Sequence, residues 1–172
     1  MSQARAFVIG IGSNLGVREQ NLVRAVEQIA RLAALDALSR VYETLPLGPP
    51  QPDYLNAAVR VRSALAPEAF LEGLLSIEAA MGRVRDVRWG PRVVDLDILW
   101  SAAPHASARL QIPHAELSSR TFALAPLLDV APELAAEYGA ALQELGGPPR
   151  VCGILSWHRA QQVCEFAGVV AL

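Results

Sequence analysis

From Val93 to Trp100 the sequence alternates: Val94, Leu96, Ile98 and Trp100 share one side of an extended segment, and Val93, Asp95, Asp97 and Leu99 share the other. A period of two belongs to a strand, and the apolar row is expected to face a core. Any fold that accepts this strand must place two carboxylates side by side, their Cα atoms roughly 6 to 7 Å apart at a rise of about 3.3 Å per residue. Like charges so placed repel, which implies a cation. The ten residues before the strand supply Arg83, Arg85, Arg88 and Arg92 around a Trp89-Gly-Pro turn. Guanidinium forks match phosphate oxygens bidentately, and magnesium is usually held by one or two carboxylates plus substrate phosphates. The segment reads as a polyphosphate-and-metal site. A plain half-exposed strand with arginine-paired aspartates is the simpler alternative, and the density of the arginine loop weighs against it.

The remaining pattern places this strand fourth in an alternating plan. Ala6 to Gly12 is a short apolar strand, and Asn14 is a plausible cap for a helix whose stripe is Leu15, Leu22, Val26, Ile29 and Leu32. Strands are expected over Ala37 to Thr44 and Tyr54 to Arg62, joined by the proline-rich loop Leu45 to Pro52. Pro67 opens a second helix through Leu71, Leu74, Leu75, Glu78 and Met81 to Gly82. The order β-α-β-β-α-β predicts an α+β fold, the ferredoxin-like sandwich of an antiparallel sheet backed by two helices. Beyond it come a weakly patterned connector (101–108), a short strand at Leu110 to Ile112, and helical additions near Arg120 to Leu128 and Pro132 to Leu145. The tail from Arg150 carries Val151, Ile154, Leu155, Trp157, Val163 and Phe166, spaced for a helix packed on the domain or for an oligomer contact.

At 172 residues and 52% hydrophobic, the chain is expected to form a single domain over 1–172. No apolar run approaches a membrane span and the first apolar stretch is too short for a signal peptide, so a cytoplasmic protein with no membrane partner is expected. Cys152 and Cys164 are expected to be buried thiols. All 15 basic residues are arginine, which excludes a lysine nucleophile, Schiff base or P-loop lysine. With a net charge of -2, the arginines outside the loop read as solvated surface, and no nucleic-acid partner is expected. Gly10-Ile-Gly-Ser-Asn-Leu-Gly16 fails as a dinucleotide fingerprint, its third glycine one residue late and Asp36 misplaced for a ribose. A tight turn that sets Ser13 and Asn14 beside a cleft, or simply a turn and helix cap, fits it better.

Taken in order, Gly12-Ser-Asn14, Tyr42 to Gly48, Pro52 to Ala58, Gly82 to Arg85, Arg88 to Arg92, Asp95 to Ile98, Pro113-His114 and Arg120 to Phe122 resemble the bacterial 6-hydroxymethyl-7,8-dihydropterin pyrophosphokinases of folate biosynthesis. The resemblance covers about residues 6 to 134 and leaves the tail (150–172) unassigned. It implies transfer of the β,γ-pyrophosphoryl group of ATP to the pterin hydroxymethyl oxygen, with AMP released and two Mg2+ ions engaged. It assigns Asp95 and Asp97 to the metal, and Arg83 and Arg92 to the catalytic clamp. Thr44, Leu47, Tyr54, Asn56, Trp89 and Phe122 are assigned to the pterin, and Glu78, Arg85, Arg88, Arg92, Ile98, Arg109, His114 and Arg120 to the ATP. No general base is evident.

The partners implied are thus two small molecules, acting on a monomer. Leu45 departs from a proline of many relatives and Ala115 from an aromatic of some, which touches only peripheral contacts. The loop between Arg83 and Arg92, with its charge and its Trp89, is expected to close when nucleotide and metal are present. Two other classes stand beside this reading. One is a catalytically silent nucleotide-binding regulatory domain on the same fold. The other is a ferredoxin-like RNA-binding module, which would need paired sheet aromatics that the sequence lacks.

Overall fold

The structure, a computed structural model, describes residues 4–83 and 90–169. The predicted core is present as β1 (Arg5–Ser13), α1 (Arg18–Leu32), β2 (Ala34–Leu38), β3 (Arg40–Thr44), β4 (Tyr54–Ser63), α2 (Pro67–Ala80) and β5 (Asp95–Ser101). After it come β6 (His105–Ala106), β7 (Gln111–Ile112), α3 (Thr121–Val130), α4 (Ala135–Glu144), β8 (Arg150–His158) and β9 (Val163–Gly168). The main sheet runs β5-β1-β4-β3-β8-β9, with β2 also on β4 and every described pairing antiparallel. Its β5-β1-β4-β3 portion is the strand order of a ferredoxin-like sandwich.

Period two sorts β1 and β4 between two cores. Phe7, Ile9 and Ile11 of β1, with Ala57, Val59 and Val61 of β4, pack against Leu22, Val26 and Ile29 of α1 and Phe70 and Leu74 of α2. The Phe7 and Phe70 rings stack at 4.6 Å. On the opposite face Val8, Ala58, Tyr42 and Leu99 pack against Leu124 and Leu127 of α3 and Tyr138 and Leu142 of α4. The uncovered remainder of this second face is where the site lies.

Three expectations need correction. Asn14 does not cap α1. The N-cap is Val17, without a side-chain cap, and the Asn14 side chain is engaged elsewhere. The single strand expected over Ala37 to Thr44 begins earlier, at Ala34, and is divided into β2 and β3 at Ser39, whose N–H donates to the Ala58 carbonyl (2.9 Å) while its Oγ accepts from the Ala58 N–H (2.7 Å). A hydroxyl thus stands in for a carbonyl in the ladder. Trp100 does not continue the row of Val94, Leu96 and Ile98. The register of β5 on β1 shifts between Val8 and Ile9, and Leu99 and Trp100 both turn to the second core. The short strand expected at Leu110 to Ile112 is present as β7, paired with β6 of the connector.

The largest difference is the tail, which is a hairpin and not a helix. β8 pairs with β3 and β9 with β8, so Gly153, Leu155 and Trp157 alternate inward with Cys164 and Phe166 opposite them. Gly153 explains the pattern. A Cβ there would lie 2.3 Å from the Phe166 ring, so the glycine is the space the ring occupies. The helical spacing read from Val151, Ile154 and Leu155 is incidental.

One charged cluster ties β3 to α3. The Asp129 carboxylate accepts from the Arg40 main-chain N–H (3.0 Å), Arg40 Nε (3.1 Å), Arg40 Nη2 (2.6 Å) and the Tyr42 hydroxyl (2.8 Å). Burial alone would raise its pKa, but the bonds from Arg40 and Tyr42 outweigh that and hold it below the ordinary carboxylate range. Tyr42 is 0% exposed, so its hydroxyl would be stranded without Asp129. Asp129→Ala is expected to lower unfolding free energy by about 2 to 4 kcal/mol at pH 7, measured by urea titration. A depressed carboxylate stabilises above its unfolded pKa of about 3.9 and loses that contribution as pH falls through the folded value. The two proteins should therefore converge in stability only in acid below about pH 4.

Candidate active site

The cavity on the open part of the second face encloses about 110 Å³ and is lined by Thr44, Leu45, Leu47, Tyr54, Asn56 and Phe122 together with Arg92, Asp95, Asp97, Leu99 and Arg120. Its floor is Gly10 to Gly12 of β1. Gly12 lies across from Asn56 on β4 and across from Asp95 on β5, and Gly10 across from Asp97. A Cβ on Gly12 would sit 3.3 Å from Asn56 Oδ1 and 3.6 Å from the Tyr54 ring. The Gly-x-Gly is therefore a flat floor between two sets of polar side chains, which the motif read as a turn did not suggest.

At the acidic end, Asp95 Oδ1 is 2.6 Å from Arg83 Nη1 and its Oδ2 is 2.5 Å from Arg92 Nη1. Arg83 also pairs with Glu78, whose carboxylate accepts from the Leu96 N–H at 2.7 Å. Glu78 is 2% exposed, so it braces β5 from beneath and does not line the cavity. Burial raises its pKa, opposed by the Leu96 N–H and by Arg83. Asp97 is pushed up to about 7, by burial first and then by the charges of Asp95 and Glu78, with Arg83 and Arg120 opposing. A buried carboxylate that ionises reluctantly beside a second one on the same strand face is the electrostatic signature of a cation position. Both offer hard oxygen donors, as magnesium prefers. Among the described residues no cluster of three or more His, Cys, Asp or Glu is placed to hold a metal, so further ligands would come from substrate and water.

At the other end Asn56 Nδ2 donates to Thr44 Oγ1 at 2.7 Å, which fixes the amide while leaving its second N–H and Oδ1 to offer. The Phe122 ring also lines the cavity, with the Arg120 guanidinium 5.7 Å from its centroid.

Of the expected residues, the structure gathers Thr44, Leu47, Tyr54, Asn56, Phe122, Arg92, Asp95, Asp97 and Arg120 around one cavity, with Arg83 against Asp95. It does not gather all of them. The Ile98 side chain is in the helix-facing core, and Arg109 is exposed and paired with Glu72 at 2.5 Å. His114 is half-buried off the cavity, its Nδ1 accepting from the Glu116 N–H at 3.1 Å and its pKa lowered by burial and then by Arg120. Arg85, Arg88, Trp89 and most of the expected closing loop lie outside the described residues. Sequence reasoning missed Gly10, Leu45, Leu99 and Ala123 as lining residues. For Gly10 the signal was there, since glycine inside a strand marks a close approach.

The sequence model of the 7,8-dihydro-6-hydroxymethylpterin-pyrophosphokinase (HPPK) family matches residues 8–132. The chain belongs to this family. It is 44% identical to the 2-amino-4-hydroxy-6-hydroxymethyldihydropteridine pyrophosphokinase of Methylorubrum extorquens over 76% of this chain and 84% of the relative. To the enzyme of the same name from Bacillus subtilis it is 36% identical over 92% of this chain and 93% of that one, an HPPK alignment that reaches β8 of the tail. A solved Plasmodium falciparum HPPK-DHPS variant with pterin and p-hydroxybenzoate superposes with a TM-score of 0.62 over 95% of this chain at 12% identity. That likeness concerns the fold, and the chain spans only 49% of the Plasmodium protein.

Proposed function

We propose that the chain transfers the pyrophosphoryl group of ATP to the hydroxymethyl oxygen of 6-hydroxymethyl-7,8-dihydropterin, releasing AMP, through the cavity floored by Gly10 to Gly12. The observation that carries this reading is the division of that one cavity. Across the glycine floor, the amide of Asn56 with Thr44 on one side faces the carboxylates Asp95 and Asp97 with Arg92 on the other, while Tyr54 stands beside Arg92 and the stacked pair Arg120 and Phe122 completes the lining. Asn56 presents both a donor and an acceptor to a pterin edge, while Leu47, Tyr54 and Phe122 offer apolar and aromatic surface to the flat ring. The β,γ-phosphates lie toward Arg83, Arg92 and Arg120. Asp95 and Asp97 hold magnesium, two ions on the family pattern, which supplies charge neutralisation on the phosphates.

What remains for the side chains is placement. Pyrophosphoryl transfer gains mainly from in-line positioning and from stabilising charge on the transferring group and the departing AMP oxygen. Arg92 and Arg83 both reach the Asp95 carboxylate, which sets their forks beside the position that a metal-bound phosphate would take. Arg85, Arg88 and Trp89 keep, in this reading, the phosphate-side and ring-side roles of their family positions. Glu78 supports the site from below β5. Arg109, His114 and the main chain of Ile98 belong to the periphery of the nucleotide end.

The test is AMP formation from magnesium-ATP with and without the hydroxymethyl pterin. AMP that appears only with the pterin supports the reading; none in its presence refutes it. Asn56→Ala should weaken pterin binding by roughly 10- to 100-fold, since about 1 to 3 kcal/mol attends each buried polar edge left unsatisfied. Nucleotide affinity should barely change. A calorimetric titration in which Asn56→Ala loses nucleotide and keeps pterin would show the two ends to be reversed.

A further inference from the structure

Asn14, directly after β1 and 2% exposed, hydrogen-bonds to chain segments that reach the cavity from its two ends. Toward the cationic end its Oδ1 accepts from the Arg92 main-chain N–H at 2.7 Å. Its own N–H donates to the Arg92 carbonyl at 3.0 Å, and the Leu15 N–H to the same carbonyl at 3.2 Å. Toward the other end its Nδ2 donates to Gln51 Oε1 and to the Pro52 carbonyl, each at 2.9 Å. Both amide hydrogens and the amide oxygen are thus used, and no other side chain of this size offers two donors and an acceptor.

The two anchored segments lead straight into the site. Arg92 continues through its Nη1 to Asp95 Oδ2. Pro52 is followed by Asp53, whose carbonyl accepts from Arg18 Nη1 at 2.8 Å, and then by Tyr54 and Asn56 of β4. The proline-rich loop carrying Gln51 has no regular structure to fix it, and Leu45 and Leu47 at its start are exposed. A buried bridge between two such segments makes the ordering of one favour the ordering of the other.

We propose that Asn14 is a positioning residue that couples the two substrate ends, holding the Arg92 main chain at a fixed distance from Gln51 and Pro52. The inference rests on the substrate reading above and adds to it a residue that touches neither substrate.

Calorimetric titration of a non-reactive pterin analogue, with and without magnesium and a non-hydrolysable ATP analogue, tests it. In the wild type the nucleotide should tighten pterin binding by roughly tenfold or more, and the effect should be reciprocal. Asn14→Asp keeps the acceptor for Arg92 but loses both donors and faces the Pro52 carbonyl with a charge. In Asn14→Asp and Asn14→Ala the ratio should fall toward one, each ligand alone still binding within roughly threefold of wild type. Turnover should show the same split, with kcat lowered and the KM for ATP little changed.

Circular dichroism identifies a variant that fails to fold. If both Asn14 variants fail, Gln51→Ala decides alone, a reduced ratio supporting the coupling and an unchanged one overturning it. A wild-type ratio of one, or a folded Asn14 variant with the wild-type ratio, also overturns it. A wild type that binds neither ligand refutes the substrate reading instead, so the two failures are distinguishable.

Discussion

Asp97→Ala is expected to remove roughly three orders of magnitude or more of turnover while the protein remains folded. Loss of a ligand to a charge-neutralising ion forfeits several kcal/mol of transition-state stabilisation, at about 1.4 kcal/mol per factor of ten. The stability side has the opposite sign. Asp97 has its pKa raised to about 7 by burial, by Asp95 and by Glu78. A raised carboxylate gives its stabilisation below the unfolded value of about 3.9 and loses it as pH climbs through the folded one. In the presence of a chelator the wild type should therefore lose stability between about pH 4 and pH 7, whereas Asp97→Ala should be flatter over that window. Thermal midpoints measured across it, beside AMP assays at saturating magnesium, check both halves. Near-wild-type turnover in the variant would remove Asp97 from the metal site.

Arg92→Lys is the second large effect, expected at 10²- to 10³-fold in kcat with pterin affinity nearly unchanged. The substitution keeps the charge and the main-chain bonds to Asn14, so what it removes is the planar fork that reaches Asp95. A point ammonium cannot present two parallel donors to a phosphate oxygen pair. Arg92→Ala should be no more than modestly worse, because geometry more than charge is lost in both. A lysine variant with full kcat would mean that Arg92 acts as simple counter-charge.

The parts of this molecule legible in its sequence are those set by a local period or by one residue's chemistry. The β-α-β-β-α-β core followed from apolar spacing, and Asp95 and Asp97 fell on one face because adjacent strand positions alternate. The tail was misread because Val151, Ile154 and Leu155 satisfy a helical spacing as well as part of a strand. Gly153, whose role depends on Phe166 across the hairpin, could be weighed only in three dimensions. Trp100 changed faces through a bulge opposite Val8, a tertiary event with no local mark. Asn14 looked like a helix cap for the reason it makes a good bridge: a short amide satisfies main-chain groups wherever they are. Glu78 was assigned to the ATP by resemblance, and its bond to the Leu96 amide on another strand leaves no local mark in the sequence.

The hairpin that completes the sheet also decides where something can be attached to this protein. It adds β8 and β9 on the side of β3, while the carboxylate strand β5 is at the opposite edge. Five inter-strand spacings of about 4.8 Å separate β9 from β5, a distance on the order of 24 Å across the sheet. A fluorophore, affinity handle or second catalytic module joined after β9 would hang at the edge away from the glycine floor and leave its mouth open.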